Sequence, residues 1–225
     1  MKKFALVSLI SVFVVSAMGA SSSPSDIDPL SLEVTLIDEG PFVDHNFLVT
    51  EYLDRSECVP RTERFEISEL ISLGQQLWQI VKDGAPVVNF NSFSSSAIPQ
   101  AAACPFAMAG WSIPQSKTYK LSYKNLFGSE VVSFTYKLIY SYGGTFEGRG
   151  AYLANVSVHP ADIYASWGQN FNASVSIANV INVGTAADPV AGMQVILEWS
   201  VGNVINKFTS QRIYFVDGRG QTTEL

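Results

Sequence analysis

Val132-Ser133-Phe134-Thr135-Tyr136-Lys137-Leu138-Ile139-Tyr140-Ser141-Tyr142 is the stretch on which the fold reading turns. Its even positions are all apolar or aromatic, and Ser133, Thr135, Lys137 and Ser141 hold most of the odd ones. A period of two sends the two sets to opposite faces of a pleated strand, one dry and one wet. Upstream, Tyr119, Leu121 and Tyr123 alternate with Lys120, Ser122 and Lys124, and Gly128 marks a turn between the runs. The pair reads as an antiparallel hairpin.

The same alternation continues downstream. Tyr152, Ala154, Val156 and Val158 form one run, and Phe171, Ala173, Val175, Ile177, Ile181 and Val183 the next. Met193, Val195, Leu197, Trp199 and Val201 follow. A last strand spans about residues 205–216, where the parity slips between Phe208 and Ile213 and predicts a bulge. Long strands joined by Gly, Asn and Asp turns predict a mostly β chain, an antiparallel β-sandwich. An open antiparallel sheet is the alternative.

The first half of the chain is less regular. Leu32, Val34 and Leu36 suggest a short strand, and Phe47, Val49 and Leu53 another. Ile67, Leu70, Ile71, Gly74, Leu77, Trp78 and Val81 recur at helical spacing, which predicts one amphipathic helix over 67–82. Gly84 and Pro86 supply its stop. Gly74 sits inside that stripe, where it costs about 1 kcal/mol relative to alanine.

Residues 1–19 read as a signal peptide: Lys2 and Lys3, an apolar run from Phe4 to Val15, then a small-residue exit at Ala17 and Gly19. Residues 20–30 read as a flexible mature terminus and 31–225 as a single β-rich domain. Within it, 31–116 holds the helix and loops, and 117–217 holds the regular strands. The expected destination is secreted or periplasmic. There Cys58 and Cys104, 46 positions apart and the only cysteines, are expected to form a disulfide. A loop of that size gives roughly 4 kcal/mol in the chain-entropy model.

Charge narrows the partners. Removing Lys2 and Lys3 leaves 12 basic against 20 acidic residues, a formal charge of −8. That balance repels phosphate backbones, so nucleic acid is not an expected partner. No other run is long and uninterrupted enough to cross a bilayer as a helix, so the mature chain is not expected to be integral to the membrane.

Catalytic motifs of known mechanics are missing: no G-x-S-x-G, P-loop, H-E-x-x-H or helix-opening G-x-G-x-x-G occurs. No cofactor or metal is expected. His45 and His159 are the only histidines, each in a turn-like context. Tyr142–Gly150 holds four glycines in nine residues and reads first as a glycine-rich hairpin connection, with Glu147 and Arg149 as candidate ligand contacts. Trp111 and Trp167 are the candidate ligand-binding aromatics. Asn172, Ser174, Ser176 and Asn182 make a weakly charged polar face suited to self-association or a partner sheet.

These readings converge on an exported non-catalytic protein with a binding or structural role at or beyond the cell envelope, its partner a protein or glycan. A secreted hydrolase with a dispersed active site is one alternative, and a sugar- or lipid-binding module another.

Overall fold

A computed structural model describes residues 26–42, 70–73, 76–83, 94–203 and 205–225. They form eleven strands: β1 (Glu33–Pro41), β2 (Leu70–Leu73), β3 (Gln76–Asp83), β4 (Ser95–Pro99), β5 (Gln115–Lys124), β6 (Glu130–Phe146), β7 (Arg149–Ala165), β8 (Asn170–Asn182), β9 (Ala191–Gly202), β10 (Lys207–Asp217) and β11 (Thr222–Glu224). A six-stranded sheet runs β1-β5-β6-β7-β4-β2 and a five-stranded sheet β11-β10-β9-β8-β3. Every pairing in both is antiparallel.

The dry faces of the two sheets contribute to one core. From β6 come Val132, Phe134, Tyr136, Leu138 and Tyr140, the even positions of the decisive stretch. From the other sheet come Phe171, Val175, Val195, Leu197, Trp199 and Tyr214. The Phe134 and Phe171 rings lie 5.1 Å apart, centroid to centroid. The Trp199 indole N–H donates to the Tyr123 hydroxyl at 3.0 Å. The Tyr136 and Tyr214 hydroxyls meet at 2.6 Å. Each large side chain so buried contributes about 1.5–3 kcal/mol, and each phenol brings a polar group that must find a partner. Burial, with Tyr214 beside it, raises the Tyr136 pKa, so the pair is neutral and bonds as phenol to phenol.

The helix predicted over 67–82 is not formed; strands β2 and β3 stand in its place. β2 pairs with β4 in one sheet and β3 with β8 in the other, so these two consecutive strands belong to different sheets. Two short apolar runs either side of a glycine satisfy a helical and an extended pattern alike, and the strands that can pair with them decide. Among the described residues helical structure is limited to three short 3-10 turns, Pro29–Ser31, Gln100–Ala102 and Pro105–Ala107. No helix among them is long and apolar enough to cross a membrane.

Two register expectations also change. β9 and β10 pair without a shift from Lys207↔Gly202 to Asp217↔Gly192, so the bulge predicted in the last strand is absent. Ser210 and Arg212 simply take core-side parity near the sheet edge, Ser210 meeting the Tyr123 hydroxyl at 3.3 Å and Arg212 pairing with Glu224. The irregularity falls in β8 instead, between Ile177 and Val180. It turns Ile181 and Val183 outward, where both are exposed.

Candidate functional site

The residues singled out from sequence occupy three separate places. Trp111 precedes β5, lies flat over Gly144 and donates its indole N–H to the Pro105 carbonyl at 3.3 Å. A Cβ at Gly144 would overlap that ring, so the glycine makes room for it. Glu147 and Gly148 form the β6–β7 turn, both with positive φ, as the tight primed hairpin requires. Glu147 and Arg149 face each other at 4.0 Å and are exposed. Trp167 stands in the β7–β8 connection at 95% exposure, far from both in the topology.

His159 lies inside β7, opposite Lys137, with its Nε2 at 2.9 Å from the Ser157 hydroxyl. Burial first, then the Lys137 charge, push its pKa down to about 4, so the ring is neutral at ordinary pH. Cys104 is buried at the start of a 3-10 turn and is not a free cysteine. His45 and Cys58 lie outside the described residues. Among the described residues no group of three or more His, Cys, Asp or Glu is placed to hold a metal ion.

The polar face read from β8 is only partly one surface. Asn172 and Ser174 join Glu198, Ser200, Lys207 and Thr209 around a shallow hollow of about 280 Å³ on the outer face of the five-stranded sheet. Asn182 belongs elsewhere. Its side-chain oxygen accepts from the Gly184 and Val190 amides, both at 2.9 Å, and thereby shapes the β8–β9 loop.

A different constellation was not read from the sequence. β6 begins beside the end of β7, with Val132 opposite Ala165, and β8 begins beside the end of β9, with Asn170 opposite Gly202. Tyr123, two residues from the β5–β6 turn, reaches Trp199 and Ser210, which lie close to the β9–β10 turn. The β5–β6, β7–β8 and β9–β10 connections therefore share one end of the molecule. Ile27 bridges to Asn125 and brings the 3-10 turn at Pro29–Ser31 to the same end.

Each of these turns presents apolar side chains to solvent. Trp167 (95%), Leu30 (92%) and Ile205 (88%) are the most exposed large apolar residues among those described, and Leu126 and Phe127 are exposed beside them. Local bonds hold the turns in shape. The Asn125 carboxamide oxygen accepts from the Phe127 and Ser129 amides at 3.0 and 2.9 Å. Asn203 does the same for Ile205 and Asn206 at 2.9 and 2.8 Å. In the third, the Gln169 amide donates to the Ser166 carbonyl at 3.0 Å, with Gly168 at φ +82° between them. The usable signal was an asparagine or glycine turn with a large apolar residue at its tip, where a polar residue normally sits.

Comparison with protein-family models, with curated proteins and with solved structures finds no match.

Proposed function

We propose that this is an exported, non-catalytic β-sandwich protein that binds a partner through the end carrying Leu30, Leu126, Phe127, Trp167 and Ile205. The observation that carries the reading is the convergence of the three most exposed large apolar side chains on that end. Exposed apolar residues scattered singly are ordinary, whereas grouped ones mark interaction surfaces. The sandwich reading is supported by the shared core, in which Tyr136 meets Tyr214 and Tyr123 meets Trp199 across the two sheets. Export is supported by the leader-like residues 1–19, and a Cys58–Cys104 bridge belongs to the same reading.

The test places a photo-crosslinking amino acid at position 167 or, as control, at position 148 in the β6–β7 turn, in intact cells. Adducts are expected from 167 and not from 148. They are expected on protein recovered outside the cytoplasm whose thiols resist alkylation until reduced. Equal labelling from both positions, or none from either, overturns the binding end. Reactive thiols on cytoplasmic material overturn the exported setting.

The sugar- or lipid-binding alternative shares Trp167 with this reading. Trp111 is partly buried against the core and already hydrogen-bonded, which leaves Trp167 as its main anchor.

A further inference from the structure

Resting on that binding end, we infer that its partner is the surface of a lipid bilayer with net-neutral headgroups, which the turn tips enter as shallow wedges. Three features distinguish it from an ordinary protein-binding patch. The apolar side chains gathered at this end stand on separate turns whose other residues are mostly Asn, Ser, Gly and Gln, so the group is a set of points with polar gaps that a rigid partner matches poorly. A fluid interface conforms to such points, and Trp, Phe, Leu and Ile are the residue types that settle there.

Segments 125–129, 166–169 and 203–206 contain no formal charge, so their entry into a poorly hydrated layer strips water from no ion. Most of their backbone amides already have partners. Amides of Phe127, Gly128, Ser129, Gln169, Asn203, Ile205 and Asn206 all donate within their own turn. Amides bonded in this way lose little when water is withdrawn.

Headgroup charge follows from the surroundings. Asp28 caps the Leu30 turn, Lys124 is paired with Glu33 at 3.7 Å and Lys120 with Glu130 at 3.0 Å. Lys207, beside the Ile205 turn, is a single exposed cation, and against a mature formal charge of −8 it makes no basic collar for an anionic surface.

The experiment uses the protein as its host processes it, with phosphatidylcholine vesicles and, separately, phosphatidylglycerol vesicles. Wild type is expected to float with phosphatidylcholine, and no better with phosphatidylglycerol. W167S/I205S is expected to lower the partition coefficient about tenfold or more. Lipids brominated near the headgroup should quench wild-type fluorescence more than that of W167F, an excess that belongs to Trp167 alone. Unchanged near-ultraviolet circular dichroism establishes that the variants are folded.

Flotation independent of the tips, or preference for phosphatidylglycerol, overturns the inference. Absent flotation, with concentration-dependent oligomers that W167S/I205S dissolves, overturns the bilayer and leaves the binding end standing. Neither flotation nor tip-dependent association removes both.

Discussion

At one end of the molecule the two sheets are joined by backbone hydrogen bonds, and at the other no backbone hydrogen bond among the described residues runs from one sheet to the other. At the joined end the Gly143 amide of the six-stranded sheet donates to the Gly218 carbonyl at the end of β10 at 2.9 Å. The Ala151 amide reaches the Pro189 carbonyl at 2.8 Å, and the Asp188 carboxylate accepts from Gly150 at 3.1 Å. Its turns carry Glu147, Arg149, Asp188, Asp217 and Arg219. The opposite end has uncharged turns tipped by Phe127, Trp167 and Ile205. A fold that needs one end to hold the sheets in register is free to vary the other, and residues that stability does not require there call for another explanation.

Substitution of glycine should expose this difference most sharply. A Cβ at Gly218 would overlap the Ala151 carbonyl, a backbone atom that cannot swing aside. Gly218→Ala is expected to cost about 3 kcal/mol or more through the displaced sheet-to-sheet bonds. At the other end a Cβ on Gly168 meets nothing within 4 Å, and only its φ of +82° resists. Gly168→Ala is therefore expected to cost about 1–2 kcal/mol. Urea midpoints of the two variants measure the contrast, and equal losses would erase it.

Acid provides the next lever. The unfolded chain takes a proton on histidine near pH 6.5, whereas His159 in the folded chain resists until about 4. Stability from this group is therefore intact above pH 6.5, falls as pH drops from there to about 4, and is flat below. Up to about 3 kcal/mol is at stake. His159→Gln should remove most of that slope. His159 lies six positions before Ala165, the last residue of β7, so loosening should reach the Ser166 amide before the Gly218 amide in hydrogen exchange.

How much of this was legible follows from the same residues. The alternation from Tyr119 to Val201 was unambiguous because long strands with one dry face repeat the pattern many times. The extended state of 70–73 and 76–83 was not. Those strands are short and take their identity from β4 and β8, which local periodicity does not see. The β8 shift at Ile177–Val180 was hidden because Ile181 and Val183 look like core residues wherever they point. Trp167 was picked out as a candidate, but Leu30, Leu126, Phe127 and Ile205 were not. Nothing in their local pattern tells an exposed tip from an anchor; only the strand order reveals that three connections and the Pro29–Ser31 turn share one end.

The smallest expected effect is the most telling. Trp167 and Trp111 both stand next to a glycine in a connection between strands, and composition treats them alike. Trp111 covers Gly144, packs against the core and bonds to Pro105, so Trp111→Ser opens a gap and should cost about 2 kcal/mol or more. Trp167 has no such packing at 95% exposure, and the turn beneath it is held by backbone bonds that serine preserves. Trp167→Ser should shift stability by no more than about 0.5 kcal/mol. Thermal unfolding of both variants decides the matter. A loss at Trp167 comparable with that at Trp111 would make it a structural residue and return the apolar end to ordinary surface. A silent Trp167 is a large apolar side chain kept in water at no benefit to the fold, and a surface for it to enter is the remaining physical reason for its place.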